Sequence, residues 1–463
     1  MKGSCMKLCV LTFAAMVSLA GVCAEAPKPL LPGFHPDPSV CLGHDGAYYL
    51  VTSTFLWRPG LPIYRSENFR DWSFAGHALG PQYTSVDSNA EGSGPLSDDD
   101  GVWAPTIRFH DGTYYIAFTY SGNGFKNYLT TAKNPAGPWT EPVHVEGADG
   151  GIDPSIFFDD DGKAYWTQNV PAREGKWVGH NEIFVQEIDL AACKLVGRRE
   201  YISCGVFPKA EYTEGPHIYK IHGEYVLLHA EGGTGFYHAE TAKKSKSVWG
   251  PYEPMRTNPL VTRRDRGEGS PLQATGHADI VKMKDGGDDD YYAVFLGKRP
   301  LGEDRRVLLG RETFACPARW RDGDLVFLHE QLIAGSVAES KGTCKVSDGV
   351  FVRRVTGRAF DESVVAGEGE SMILWRGKEG NIQIAGPGEL RMVSTDGLSV
   401  KCYRNGAFVK EVDTKIVSDG QTANRFNGLG VGKAKAAPNC TKALPAPIEP
   451  CLFESVAVIP QEI

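Results

Sequence analysis

Past its first two dozen residues, the 463-residue chain has no run approaching the roughly 20 apolar residues that a membrane span needs. It also lacks an excess of positive charge, with 49 Lys and Arg against 57 Asp and Glu and a net charge of −8. That balance excludes nucleic acid and anionic membrane as main partners. Among 11 cysteines there is no CxxC and no Cys/His spacing of the zinc type. Few stretches keep an apolar face at helical spacing. What the chain does have is strand-type alternation punctuated by Gly, Asp and Pro, and a generous set of aromatics, 9 Trp and 18 Tyr among them. Such rings suit sugar-stacking surfaces, although a large aromatic β core accounts for most of them.

Residues 1–24 read as an export signal. Lys2 and Lys7 precede the apolar stretch Leu8 to Val22, and the small residues of "VCAEA" place cleavage near Ala24 or Ala26. Cys23 makes only a poor lipoprotein box, because Val22 stands where a small residue is wanted. A secreted or periplasmic protein is therefore expected. Of the cysteines beyond the signal, Cys193–Cys204 across a short hairpin and Cys440–Cys451 are the easiest disulfides to draw. Buried free thiols are the alternative.

One pattern recurs five times in the first 310 residues. The strands "HDGAYYLVTST", "HDGTYYIAFTY", "DDGKAYWTQNV", "IHGEYVLLHAE" and "DDDYYAVFLGK" each follow a turn with Asp or Gly. Just upstream of each lies a polar tag and another apolar strand: "HPDPSVCL", "WAPTIRFH", "DPSIFFDD", "EGPHIYKI" and "GHADIVKM". Multi-strand units repeated in this way predict a β-propeller of five blades. The innermost strand of every blade lines the axis, so Asp37, Ala104, Asp153, Glu214 and His277 are expected around one central cavity. A lone Asp is usually a turn or capping residue. Three acids at one phase of a repeat are harder to dismiss, and Asp37, wedged between Pro36 and Pro38, is expected to be held extended. From about Gly335 the pattern changes to strands of a second, smaller domain, expected to be a β-sandwich.

Two carboxylates flanking a scissile bond are the equipment of glycoside hydrolysis: one donates a proton to the leaving oxygen, the other acts as base or nucleophile. A third negative charge nearby holds the acid's pKa up. Calcium instead asks for roughly 6–8 oxygens from closely spaced loops. Single acids delivered from separate blades fit direct acid–base roles better. The runs Asp98–Asp100 and Asp288–Asp290 are read as solvated turns.

The ordered set "PGFHPDPSV", "VTSTF", "GVWAPTIRF", "DPSIFFDDDGKAYW", "YTEGPHIYK", "AEGGTGFYHAETA", "PLQATGHADIV" and "GRET" resembles glycoside hydrolase family 43 over about residues 31–330. The resemblance implies a five-bladed propeller over 27–333, an accessory β-sandwich over 334–463, and cleavage with inversion of terminal xylose or arabinofuranose from xylan- or arabinan-type chains. By the same resemblance Asp37 is the general base, Glu214 the general acid, and Asp153 the group that tunes the acid's pKa. Inversion requires room for water, which places base and acid carboxyls ~6.5–9.5 Å apart. Phe55 and Trp103 are implied as walls of the sugar pocket and Arg299 as a sugar contact. His277 is implied as an axial residue that in some members holds a cation through water. No cofactor is required, and a structural or pocket calcium is left open. Two features depart from xylosidase-like relatives: the short "GEDRRV" loop after "KRPL", and the small size of the second domain. β-Xylosidase is the first expectation; α-L-arabinofuranosidase, endo-arabinanase and a non-catalytic carbohydrate-binding propeller are the alternatives.

Overall fold

The computed structural model describes residues 27–55, 60–79, 101–300, 307 and 309–337, followed by 351–354, 360–366, 368, 370–375, 382–395, 399–413 and 428–433. The signal segment, Asp98–Asp100, Cys344, Cys440 and Cys451 lie outside these residues, as does all of the "GEDRRV" loop but its last residue.

The repeated turns fold for a local reason. Asp111–Gly112, His222–Gly223 and Asp322–Gly323 all take positive φ at both positions, the backbone that a two-residue hairpin between twisted strands demands. In two other turns an Asp side chain does the work. Asp45 Oδ1 accepts the Ala47 amide at 3.1 Å, and its second oxygen accepts Tyr49 OH at 2.9 Å. Asp161 binds Lys163 N and Tyr165 OH in the same way, at 2.9 and 2.7 Å. The "DG…Y" spacing is thus a turn welded to the strand that follows it.

Five antiparallel sheets result. Blade one is β1 (Ser39–Leu42), β2 (Tyr48–Val51), β3 (Pro62–Ser66) and β4 (Asp71–His77). Blade two is β5 (Val102–His110), β6 (Thr113–Tyr120), β7 (Lys126–Ala132) and β8 (Val143–His144). Blade three is β9 (Ile152–Phe158), β10 (Ala164–Pro171), β11 (Asn181–Asp189) and β12 (Lys194–Ser203). Blade four is β13 (Glu214–Ile221), β14 (Glu224–Glu231), β15 (Ala239–Ser245) and β16 (Glu253–Pro254), with β17 (Val261–Thr262) also on the β15 edge. Blade five is β18 (Gln273–Lys282), β19 (Asp290–Lys298), β20 (Glu312–Arg321) and β21 (Asp324–Phe327).

The inner strands β1, β5, β9, β13 and β18 neighbour one another in turn, and β18 returns to β1. The apolar cores sit between blades rather than within them. Ile107, Ile116 and Phe118 of blade two meet Val51 and Ile63 of blade one. Phe295 and Phe314 of blade five meet Val226 and Leu228 of blade four. Equivalent cores fill the two-to-three, three-to-four and five-to-one junctions. The ring is sewn shut at blade one, where β22 (Ser336–Val337) adds in parallel to β4. This closing strand carries the propeller past residue 333, because the last blade must hand a strand back to the first.

Downstream, β23 (Phe351–Arg354), β25 (Glu370–Trp375), β26 (Ile382–Ala385) and β30 (Gly428–Lys433) form one sheet. A second sheet holds β24 (Phe360–Ala366), β27 (Gly388–Ser394), β28 (Ser399–Arg404) and β29 (Ala407–Asp413). Met372, Ile382 and Ile384 from the first pack on Leu390, Met392, Val400 and Cys402 from the second, the face-to-face burial of a sandwich. Leu309 of the propeller segment joins this core.

The expected Cys193–Cys204 bridge does not form; both thiols are free. The ten residues of β12 separate them. At about 3.3 Å per residue they stand roughly 30 Å apart, whereas a disulfide needs Cα atoms within about 7 Å.

Deep on the axis, where apolar filling would be the default, the inner strands carry a polar knot. Asp279 of β18 accepts Ser39 Oγ at 2.5 Å, Arg108 Nη1 at 2.7 Å and Arg108 Nη2 at 3.2 Å, and also takes the Tyr219 hydroxyl. Burial pushes the Asp279 carboxyl up, but Arg108, His217 and the hydrogen bonds outweigh it and leave the group at about 2. A depressed folded pKa adds stability above the ordinary carboxylate range and loses it as pH falls through that range. Asp279→Ala strands the Arg108 charge, so it should cost about 3–5 kcal/mol at neutral pH in urea unfolding. The gap to the parent protein should narrow as pH drops from about 4 toward 2, and a gap that is flat with pH would contradict this account.

Candidate active site

Each inner strand enters the axis through a β-bulge. Between one ladder pair and the next, two residues on the inner strand oppose one on its partner: Trp103 to Thr106 against Thr119 to Ala117, Ile152 to Ser155 against Asn169 to Thr167, Glu214 to His217 against Ala230 to Leu228, and Gly276 to Asp279 against Leu296 to Val294. In blade one, Ser53 N bonds to Pro36 O and Ser39 pairs with Val51, which gives the same count. The first inserted residue takes a left-handed backbone every time: Asp37 at φ 52, Ala104 at 39, Asp153 at 57, Gly215 at 61 and His277 at 54. Asp37 is therefore not extended as its prolines predict. As the extra residue of a bulge, its backbone has to leave the ladder, and the bulge re-aims its side chain.

The same geometry corrects the phase of the third acid. Asp37 and Asp153 occupy equivalent positions, whereas Glu214 stands one residue earlier and Gly215 takes the bulge. A Cβ on Gly215 would come 3.1 Å from Cδ2, Cε1 and Nε2 of the His277 ring. Only glycine suits that spot, and the acid reaches in from the neighbouring position on a side chain one methylene longer.

Asp37 is buried and doubly held. Its Oδ2 accepts Ser53 Oγ at 2.6 Å, and its Oδ1 accepts Arg311 Nη1 at 2.6 Å. Ser53 Oγ in turn accepts the Ala104 amide at 2.6 Å, which ties the Asp37 carboxylate to the adjacent blade. Asp153 Oδ2 accepts the Gly215 amide at 2.9 Å, and its own amide donates to Thr119 Oγ1 at 3.1 Å. Burial, then the Asp37 charge, push Glu214 up to about 7, with Arg311 pulling the other way. Burial, then Glu214 and Asp37, hold Asp153 well above the carboxylate range. The two groups titrate as a pair that keeps a proton near neutrality. The Gly215 amide favours the Asp153 anion, and among the described residues none donates to the Glu214 carboxyl, so the pair shares one proton between them.

The other expected residues fall as follows. His277 Nδ1 lies 3.7 Å from Asp37 Oδ1. Burial lowers its pKa despite that carboxylate, so the ring is neutral. Phe55 and Trp103 do stand together, centroids 5.7 Å apart, in a line of rings that runs from buried Phe34 to half-exposed Phe125. Arg311 lies over the Phe55 ring at 5.1 Å. Arg299 is neither at the surface nor unengaged: its Nε and Nη2 clasp both oxygens of Glu312 at 2.7 and 2.9 Å. Among the described residues the arginine that touches Asp37 is Arg311, which sequence reading passed over although it stands inside "GRET". Spacing could not have found it, since it is 274 residues from Asp37 in the chain.

Among the described residues no three His, Cys, Asp or Glu side chains converge as a metal site. The Arg311 cation already binds the Asp37 oxygen nearest His277. These neighbours do not fit a protein-held cation, and no step below uses one. Asp288, Asp289 and Asp290 pair with Lys282, His222 and Arg319 as a surface turn.

A bulge-held carboxylate bound by Arg311, a buried aspartate and a half-buried glutamate that together retain a proton, and a line of aromatic rings make an arrangement suited to sugar cleavage. A "Xylosidase/arabinosidase" of Butyrivibrio fibrisolvens is 42% identical over 302 residues, which cover 64% of this chain and 55% of that protein. The "Non-reducing end alpha-L-arabinofuranosidase BoGH43B" of Bacteroides ovatus is 40% identical over 328 residues, 69% of this chain and 56% of its own. Among solved structures, "Bacteroides ovatus Xyloglucan PUL GH43B" superposes with a TM-score of 0.70 at 26% identity over 88% of this chain and 98% of that one. The chain spans about half the length of the curated relatives it matches. The sequence profile described as glycosyl hydrolases family 43 matches residues 26–325, and the chain belongs to that family.

Proposed function

We propose that the protein is an exported, inverting exo-glycosidase that releases terminal xylose or arabinofuranose from hemicellulose-derived oligosaccharides, with β-xylosidase as the first activity to test. The observation that carries this reading is the division of labour among the three acids: Asp37 locked by Arg311 and Ser53, and Glu214 kept protonated beside Asp153. Glu214 donates its proton to the glycosidic oxygen as the C–O bond breaks. Water attacks the anomeric carbon from the opposite face and gives its proton to Asp37, so configuration inverts. The aromatic wall and the loss of bulk water strengthen these charge interactions. Names on similar proteins include both xylosidase and arabinofuranosidase, and hydrolysis of nitrophenyl β-xyloside against nitrophenyl α-arabinofuranoside separates the two. Turnover of neither, with intact binding of oligosaccharide, would mean a non-catalytic binding propeller. Release of oligomers rather than single sugars would mean an endo enzyme.

Glu214→Gln should reduce turnover of xylo-oligosaccharides by roughly 10²–10⁴-fold, with a far smaller loss on activated phenol leaving groups that need no proton. Equal losses on both would reject the acid assignment. Asp37→Ala should fold normally, as shown by an unchanged circular dichroism spectrum, yet lose nearly all turnover on good and poor leaving groups alike. Azide should restore part of it with an inverted glycosyl azide product. Normal activity in this variant would remove Asp37 from the mechanism.

The pH profile tests the third acid. The acid must carry its proton, so the rate should fall as pH rises through about 7. Asp153→Asn removes the charge that resists the second ionisation. Glu214 then loses its proton earlier, and the alkaline limb should move to lower pH. A limb that stays put or moves upward would show that Asp153 only positions the sugar.

A further inference from the structure

Two residues before Glu214, the chain does something expensive. Tyr212 takes φ 51 and is 39% exposed as a residue, although a bulky aromatic residue rarely adopts the left-handed backbone. Neighbours enforce the conformation. The Tyr212 amide donates to Gly179 O at 2.6 Å, and the Glu211 carbonyl accepts Gly232 N at 2.7 Å, which pins the segment between the blade-three and blade-four loops. Both flanking loops meet the ring with glycines, Gly179 at φ 70 and Gly233 at φ 63, so that no side chain stands there. A Cβ on Gly179 would approach Tyr212 Cζ to 3.0 Å, and one on Gly233 would approach Cδ2 to 3.0 Å. A tyrosine serving only the core would be buried, and a solvated one would need neither the strain nor two glycines. Strain that the surroundings over-determine marks a position where the side chain has a job outside the core.

We propose that Tyr212 is the platform of the leaving-group subsite, stacking on the apolar C–H face of the penultimate sugar of a β-linked xylo-oligosaccharide; this rests on the exo-glycosidase reading above. The argument is one of place. Glu214 protonates the glycosidic oxygen, so its carboxyl marks the boundary between the terminal sugar in the axial cavity and the sugar that departs. Tyr212 stands on the same strand entrance, ahead of the first residue of β13, at the end of the propeller where β10 leads into the Gly179 loop and β14 into the Gly233 loop. An exposed ring at that point lies on the outward path of the substrate. Aromatic faces accept sugar rings without fixed hydrogen-bond geometry, which suits a subsite that must release its product. Phe55 and Trp103 serve the other side of the boundary, in the line of rings that begins at buried Phe34.

The test compares two substrates with the same terminal sugar and different departing groups. Xylobiose carries a second ring, whereas methyl β-xyloside carries none yet still needs its leaving oxygen protonated. Tyr212→Ala should lower kcat/KM on xylobiose about tenfold, the scale of one aromatic contact. On the methyl xyloside it should stay within about twofold of the parent enzyme, which also reports that the variant is folded and Glu214 in place. Tyr212→Phe keeps the ring and should retain most xylobiose activity. Equal losses on both substrates would make Tyr212 a prop for Glu214 and overturn the subsite, as would unchanged xylobiose activity in Tyr212→Ala. If the parent enzyme turns over neither xyloside, the same pair is built on α-arabinofuranose. Failure there as well rejects the exo-glycosidase reading and the subsite with it, an outcome distinct from a variant that treats both substrates alike.

Discussion

The constraint on which the rest depends is the left-handed residue that opens each inner strand. A strand that simply continued its ladder would present alternate side chains to the two faces of its blade and leave the axis to small apolar groups. One extra residue at the bulge turns the side chain at that point toward the centre, five times around the ring. Left-handed backbone costs a non-glycine residue roughly 1–2 kcal/mol. The inter-blade cores offset that cost, because each blade buries two faces against rigid neighbours. What occupies the bulge then decides what the cavity is. Here the five positions hold Asp, Ala, Asp, Gly and His, and the Gly exists to make room for the His ring beside an acid one residue away.

Electrostatics inside that cavity follow from a count. Among the described residues one guanidinium contacts Asp37, Asp153 and Glu214, that of Arg311, and it is committed to Asp37. A buried and a half-buried carboxyl remain with one backbone amide between them, and holding both as anions side by side is too costly. A proton stays. The site therefore keeps a protonated carboxyl beside the Arg311-bound carboxylate near neutral pH, which a pair of solvated carboxylates could not do. The deeper end of the axis shows the opposite solution: Asp279 has Arg108, two serine- and tyrosine-type donors and a pKa near 2, so it is a fixed anion with structural work.

Much of this was legible in the chain. The five-fold repeat gave the propeller, and Asp37, Asp153 and Glu214 were named from it together with the family resemblance. The missed phase of Glu214 was also in the text: Pro38, Pro105, Pro154 and Pro216 align the tags, and that alignment puts Gly215, not Glu214, opposite Asp37 and Asp153. A bulge shifts the meaning of position by one, and a constant spacing to the next turn hides the shift. Arg299 and Arg311 were harder. Both are arginines near the end of blade five, and which one reaches the base depends on where Glu312 points, a packing outcome that no periodicity carries. The Cys193–Cys204 pair failed because nearness in sequence across ten strand residues is distance in space.

Arg311 also joins two problems that look separate. A propeller must hold its first blade to its last, and the Asp37 carboxylate must be held still to act as the proposed base. Residues 311–313 do both. The Leu30 and Leu31 amides bond to Thr313 O, Gly33 N to Glu312 Oε1, His35 N to Arg311 O, and Thr313 Oγ1 donates to His35 O. Through that short stretch the segment leading to Asp37 is stitched onto blade five, and the Arg311 side chain crosses the same seam to the Asp37 carboxylate. Glu312, which orders Gly33, is in turn held by Arg299. Opening the ring at this junction would therefore separate Asp37 from Arg311 before any blade unfolded. The geometry around Asp37 is coupled to closure of the fold at the junction where the first and last blades meet.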